Sequence, residues 1–347
     1  MEQYTIKSLA LEELQETVIR LGEKAFRGSQ IYEWLHKKLA DSYQEMTNLP
    51  KRLREQMEIE YPLDTLAAVD VQTSKLDKTQ KYLFKLSDGN MVESVLMKYR
   101  HGNSVCISSQ VGCRMGCGFC ASTLEGLSRN LFPSEMLDQV YQIQKASGER
   151  VSHVVVMGMG EPLDNYDHLL RFLHILTDVH GLHISQRNIT VSTCGIAPQM
   201  QRLAEEGLQI TLALSLHASN QEKRCGLMPV ARKYPLQDIL RACQYYFDKT
   251  GRRVTFEYSL IHGINDSQED AVQLADLIKS MNCHVNLIPV NPIKERKFLQ
   301  PDKKVAEKFK NKLEKCGINV TIRREMGRDI DSACGQLRKR WTENADL

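Results

Sequence analysis

Two features that direct a chain into a membrane or out of a cell are missing from this sequence. No run of eighteen apolar residues occurs, and no charged amino terminus leads into an apolar stretch. Neither a membrane span nor a signal peptide is expected, which places the protein in the cytoplasm. Net charge is also scarce: 46 Lys and Arg against 43 Asp and Glu leave +3, so bulk charge alone does not argue for a nucleic-acid partner. Local clusters do more: Lys51, Arg52 and Arg54; Arg252 and Arg253; Lys294, Arg296 and Lys297; Arg323, Arg324 and Arg328; Arg338, Lys339 and Arg340. Any one of them reads first as a solvated face, yet such runs are able to meet phosphates. Absent as well are a second C-x2-C pair and a His pair at finger spacing, which a closed four-ligand zinc site would need.

What is present is an ordinary globular balance, 42% hydrophobic and 26% charged over 347 residues, enough for one large domain with appendages or for two domains. The ten cysteines need a reason. A disulfide framework does not suit a large cytosolic chain, which leaves metal binding and catalysis. Cys194, Cys225, Cys243, Cys283 and Cys316 sit singly and read as small buried packing.

Along the chain, residues 1–65 read as a small helical module. Leu9, Leu11, Leu14, Val18 and Leu21 recur at helical spacing; a second helix follows Gly28, with Ile31, Trp34 and Leu35 on one face; Pro50 opens a third, carrying Leu53 and Met57. Residues 66–103 change character: Lys81–Leu86 and Val92–Met97 flank Ser87-Asp-Gly-Asn90, a hairpin signal. From residue 104 to 347 strand and helix patterns alternate. Strands are expected at Ser104–Ser108, His153–Met157, Ile189–Thr193, Ile210–Leu216, Val254–Leu260, His284–Pro289 and Asn319–Arg324. Helices are expected at Ser134–Lys145, Tyr166–Val179, Ala197–Glu206, Leu236–Lys249 and Ser267–Met281. Such alternation means parallel strands joined by crossovers. The fold class is α/β, with an open or partial barrel of about six units expected and a doubly wound sheet as the alternative.

The strongest motif is Cys113-Arg-Met-Gly-Cys117-Gly-Phe-Cys120, directly after the first of these strands. Three thiolates on a short glycine-bearing loop suit a soft metal centre and leave one coordination position open. A zinc ion completed by a distant fourth ligand is the alternative. Active sites of parallel α/β barrels gather at the carboxyl ends of the strands, where this chain places Gly158-Met-Gly160-Glu161-Pro162, Ser192, Ser215-Leu216-His217 and Asn291. Each is weak singly: a Gly-Glu-Pro segment is usually a turn, and His217 reads equally as a satisfied structural histidine. Their shared rim is the signal.

The three-cysteine loop, with Phe119 before its last cysteine, resembles the radical S-adenosylmethionine superfamily. Four longer segments narrow the resemblance: Val105–Cys113, Val155–Pro162, Cys283–Val290 and Thr321–Arg338 together are similar to the RlmN/Cfr family of RNA adenine methyltransferases, over nearly the whole chain. The resemblance implies a partial (βα)6 barrel with a small N-terminal helical domain and a β-hairpin extension. It implies a [4Fe-4S] cluster on Cys113, Cys117 and Cys120, and S-adenosylmethionine, two per turnover, lined by Gly160, Glu161, Ser192, Ser215, Leu216, His217 and Asn291. It further implies Cys334 as methyl carrier, Cys106 as its transient disulfide partner and Glu93 as proton acceptor. The implied partners are 23S rRNA and tRNA, with an electron donor such as flavodoxin or ferredoxin, for a monomeric enzyme. Within the family the RlmN branch, acting on adenine carbon 2, matches better than the Cfr branch, acting on carbon 8: Gly160-Glu-Pro162, Val285–Val290 and Arg323-Arg-Glu325 carry the difference. Carbon 2 of adenine is electron-poor and cannot attack a sulfonium, so a radical must attack it, whereas a thiolate accepts a methyl readily. The base must leave its stack first. From a different class, a non-catalytic zinc-bound RNA-binding protein is the rival.

Overall fold

A computed structural model describes residues 5–292 and 296–330. Three helices open the chain: α1 (Leu11–Arg20), α2 (Phe26–His36) and α3 (Lys51–Glu60). Leu14 and Val18 of α1, and Leu53 and Met57 of α3, are buried at i, i+4 spacing. The Glu13 carboxylate accepts from the Ala10 amide at 2.7 Å and closes the first turn of α1. Gly28 does not precede the second helix, as expected, but lies inside it. A Cβ there would sit 2.6 Å from the Gln15 Cα, so this glycine lets α1 and α2 approach backbone to backbone. The helices share one continuous apolar core with the rest of the molecule. A buried ion pair of 2.9 Å, Lys7 with Asp138, fastens them to α4 (Pro133–Ser147).

Strands β1 (Ala67–Thr73), β2 (Gln80–Lys85), β3 (Met91–Tyr99) and β4 (Gly102–Ile107) run antiparallel in sequence order. The expected hairpin is β2–β3, turning at Ser87–Asn90. From β4 the sheet becomes parallel through β7 (Val151–Val156), β8 (Ile189–Thr193), β9 (Thr211–Ser215), β10 (Val254–Leu260), β11 (Cys283–Pro289) and β12 (Val320–Ile322). The crossovers carry α4, α5 (Tyr166–Thr177), α6 (Ala197–Glu205), α7 (Gln221–Leu227) with α8 (Leu236–Thr250), α9 (Gln268–Ile278) and α10 (Lys303–Lys315). A short hairpin, β5 (Gln110–Gly112) with β6 (Leu127–Asn130), interrupts the first crossover.

The ten strands lie across the sheet in the order of the chain, without reversal. A doubly wound sheet reverses direction at its switch point; this one does not. Right-handed crossovers that all step the same way set the helices on one face and leave the other for a site. Among the described residues no backbone pairing joins β1 to β12, so the parallel part is a partial, open barrel. The two edges of the whole ten-stranded sheet are nevertheless tied together. The turn between β1 and β2 reaches the segment after β12: the Ser74 hydroxyl and the Lys75 amide donate to Asp329, at 2.6 and 2.8 Å, and the Gly327 amide donates to Asp77 at 2.9 Å.

Candidate active site

The loop carrying Cys113, Cys117 and Cys120 is pinched at its neck by β5 and β6. The Cys113 amide donates to the Gly126 carbonyl at 2.8 Å, and Gly112, at φ +77°, sits where a Cβ would come 2.0 Å from that oxygen. Only glycine fits such an approach. The far end of the loop rests on α7, whose Leu227 carbonyl accepts from the Gly118 amide at 2.9 Å. The Thr123 hydroxyl, 3.1 Å from the Cys117 carbonyl and 2.9 Å from that of Cys120, folds the chain back.

The Cys113 and Cys117 side chains are buried and that of Cys120 is partly open. Burial pushes the Cys113 thiol up to about 12, and Cys117 is raised as well; each also senses the other thiols. Both are therefore protonated until something cationic displaces the proton, which is how buried thiol ligands behave. Among the described residues no three His, Cys, Asp or Glu side chains converge on one point as the ligands of a single ion would. A multi-iron cluster instead distributes its thiolates over separate irons. Three neighbouring thiols, one half-open and facing a cavity, fit such a cluster with a free position.

The segment after β7 wraps tightly against β4 and β5. Gly158 and Gly160 leave no room for a Cβ, which would meet the Ile107 carbonyl oxygen at 2.7 Å and the Gln110 Cβ at 2.6 Å; Gly160 also holds φ +105°. Glu161 is buried. Its carboxylate accepts from the Cys194 amide at 2.7 Å and the Leu163 amide at 3.1 Å, and burial raises its pKa against those bonds. Glu161 thus organises the β7 and β8 ends, with oxygen lone pairs to spare for a ligand.

Ser192 and Ser215 meet across β8 and β9, hydroxyl to hydroxyl at 3.4 Å. The Leu216 side chain is buried, so this residue offers the site only its backbone. His217 holds φ +56°. Its Nδ1 accepts from the Ser259 amide at 2.9 Å, its carbonyl accepts from Asn265, and its ring meets Phe119 edge-on at 4.8 Å between centroids. Burial, with Arg224 nearby, lowers its pKa to about 3, so it is a neutral ring that braces the cysteine loop against β9 and β10.

A cavity of about 540 Å³ opens on the face away from the helices, lined by Val95, Met97, Cys106, Phe119, Cys120, Ser259, Asn291, Arg323, Arg324 and Ile330 among others. Strands from both ends of the sheet contribute, so one hollow brings together Cys106, Cys120 and Asn291. Cys106 lies opposite Val95 in the β3–β4 ladder. Burial raises its thiol pKa, opposed by Arg323 and Lys81. Glu93 alternates with Val95 and Met97 and so shares their face of β3; its carboxylate is 3.0 Å from the Lys81 ammonium. Cys334 lies outside the described residues, four positions beyond Ile330.

Several groups escaped the sequence reading. Lys81 was legible in principle, because the turn at Ser87–Asn90 fixes a register that puts it diagonally across from Glu93. Glu257 on β10 is buried with its pKa pushed up to about 6, and accepts from the Asn286 side chain at 2.9 Å. Arg224 of α7 is completely buried in a stretch, Gln221–Cys225, that reads as solvated.

A family model for the N-terminal domain of the ribosomal RNA large subunit methyltransferase matches residues 5–61, and one for the radical SAM superfamily matches 107–275. A probable dual-specificity RNA methyltransferase RlmN of Lachnospira eligens is 63% identical, over 98% of this chain and 97% of its own length. The chain belongs to the RlmN family. Another RlmN, from Geobacillus kaustophilus, is 55% identical over 96% of this chain and 92% of its own. The crystal structure of a radical SAM methyltransferase from Sphaerobacter thermophilus superimposes with a TM-score of 0.92 at 43% identity, covering 96% of this chain and 99% of that one. Membership in the RlmN family, within the radical SAM superfamily, implies a [4Fe-4S] cluster and S-adenosylmethionine. No described helix is long and apolar enough to cross a membrane.

Proposed function

We propose that this chain methylates carbon 2 of adenosine in 23S rRNA, at the peptidyl transferase centre, and in tRNA next to the anticodon, through a methylated cysteine. Cys113, Cys117 and Cys120 hold the cluster. Gly160, Glu161, Ser192, Ser215, Leu216, His217 and Asn291 surround S-adenosylmethionine, with Leu216 acting through its backbone. When bound there, these cofactors supply a methyl group from one S-adenosylmethionine and, with an electron from a flavodoxin- or ferredoxin-like donor, a carbon-centred radical from a second.

The remaining work falls to this chain's own side chains. The Cys334 thiolate takes the methyl by displacement and presents it to the adenine. Glu93 accepts the proton lost from carbon 2, with Lys81 stabilising the carboxylate. The Cys106 thiolate attacks the Cys334 sulfur: the S–S bond forms as the carbon–sulfur bond breaks, the departing carbon takes up a proton to become the methyl group, and the adduct's unpaired electron passes to a one-electron carrier of the flavodoxin or ferredoxin class. The lining of one cavity by Cys106, Cys120 and Asn291, with Ile330 on its wall, carries this reading. Cys334 follows Ile330 by four residues, a length of chain that spans at most roughly 14 Å when extended. Arg323, Arg324 and Arg328 at the same cavity suit the phosphates of a bound RNA.

Mapping the methyl group by mass spectrometry, on RNA from a deletion strain with and without this gene, tests the proposal. Methyl at carbon 2 is expected. Methyl at carbon 8 would assign the Cfr-type reaction, and a colourless zinc protein that yields no 5′-deoxyadenosine would remove the enzyme altogether.

A further inference from the structure

Arg224, completely buried in α7, keeps its charge in a place where, among the described residues, no acid pairs with it. Its Nη2 donates to the Cys194 carbonyl at 2.6 Å and the Ser215 carbonyl at 3.4 Å, its Nε donates to the Leu216 carbonyl at 3.2 Å, and its Nη1 has no hydrogen-bond partner among the described residues. Among the described residues no carboxylate forms an ion pair with it. Burial lowers its pKa, but a guanidinium starts so high that it stays charged. Three carbonyls offset part of the desolvation, which for an unpaired buried ion amounts to several kcal/mol.

The surroundings point to the missing anion. One helical turn beyond Arg224, the Leu227 carbonyl holds Gly118 in the middle of the Cys117–Cys120 segment. On the other side Gly195, where a Cβ would come 2.9 Å from the Ile239 Cγ2 and 3.3 Å from Nη2, lets the backbone pack closely against the guanidinium. The charge is also near enough to Cys117 to oppose the effect of burial on that thiol.

We propose that Arg224 is the counter-charge of the ligated cluster and sets the potential at which it accepts an electron. The proposal rests on Cys113, Cys117 and Cys120 being the ligands. A four-iron cluster on three thiolates is anionic when oxidised and gains one more negative charge on taking a single electron from a one-electron reductant. No bond forms or breaks in that step. A fixed cation next to a thiolate ligand favours the reduced state.

The test compares wild type, Arg224→Met and Arg224→Lys in the reconstituted, oxygen-protected protein by redox titration followed by electron paramagnetic resonance. Arg224→Met should lose at least tenfold in the reduction equilibrium, roughly 59 mV towards more negative potential for one electron. Arg224→Lys, which keeps the charge, should stay near wild type. Urea unfolding of the metal-free proteins gives a second readout. There Arg224→Met should be at least as stable as wild type, because a stranded charge is gone. An unchanged potential overturns the proposal. So does a Met variant that fails to fold or is much less stable without metal, which would make Arg224 a tie between strands. Wild-type protein that binds no iron or sulfide would refute the ligand assignment itself, a result distinct from both.

Discussion

Lys81 and Glu93 form an ion pair of 3.0 Å in which the side chains are 0% and 3% exposed. The pair bridges β2 and β3 on the face that bears Cys106 and the cavity. Removing one member of such a pair leaves a charge in a place built for two. Lys81→Met should lose about 3–5 kcal/mol in chemical denaturation. Adding Glu93→Leu should recover most of the loss, although that double variant should not turn over. A Lys81→Met protein as stable as its parent would contradict the pairing.

The cysteines divide into groups that separate experimentally. Replacing Cys113, Cys117 or Cys120 with Ser should abolish iron and sulfide uptake. Cys334→Ala should keep the cluster, judged by absorption and iron content, and lose turnover; loss of cluster there would refute a carrier role. Cys106→Ala should accumulate a covalent protein–RNA adduct on denaturing gels, and ordinary release of methylated RNA would exclude its resolving role.

Glu257 gives stability a pH dependence of definite sign. Burial holds its carboxyl near pKa 6 rather than the ordinary 4.5, against the pull of Arg323 and the Asn286 hydrogen bond. Below pH 4.5 folded and unfolded chains both hold the proton. As pH rises through 4.5 to 6 the unfolded chain releases it first, so the folded state loses up to about 2 kcal/mol, at 1.36 kcal/mol per pKa unit. Glu257→Gln should regain up to that amount near pH 8, and the difference from wild type should vanish below pH 4.5. Urea midpoints of both proteins across that range check this; parallel curves would show that Glu257 is ionised in the fold as it is outside.

Gly160→Ala places a methyl 2.6 Å from the Gln110 Cβ at a φ of +105°. The strain alone costs roughly 1–3 kcal/mol. The displaced turn also carries Glu161, so S-adenosylmethionine affinity should fall at least tenfold by equilibrium binding, following the energy-to-affinity conversion. Unaltered affinity would remove this turn from the cofactor site.

Arg323, Arg324 and Arg328 line the cavity around Gln300 and Glu325. If they meet RNA phosphates, each Ala substitution should weaken binding similarly for different sequences and reduce the salt slope of affinity by about one. A changed preference among RNAs with an unchanged slope would point to base contacts instead.

The parallel strands were legible because they are buried apolar runs bounded by turns. Ile189–Thr193 and Val254–Leu260 occupy the predicted residues, and β11 starts one residue earlier than predicted, at Cys283. Helix starts with a chemical signature were legible too: Ser267 caps α9 by accepting from the Asp270 amide, and Pro133 begins α4. What remained hidden depends on neighbours distant in sequence. Gly28 is read from its own segment as a helix boundary, and only the backbone of α1 shows why it lies inside. α7 is seven residues of mostly polar character with no apolar period, so neither the helix nor the burial of Arg224 is visible before α7 is packed. For the site, the motif places the cysteines in the chain, but that Cys106 shares a hollow with Cys120 and Asn291 follows only from the curvature of the sheet.

Asp329 and Asp77 clasp the two free margins of the sheet by hydrogen bonds from Ser74, Lys75 and Gly327. An unclosed barrel thereby acquires a buckle, and the stem from which the Cys334 segment departs is moored to a hairpin more than two hundred residues upstream. The length of the β1–β2 turn therefore becomes a ruler for where the segment after β12 is held. Inserting residues there would shift the mooring point of the segment after β12 while leaving the cysteine loop where it is.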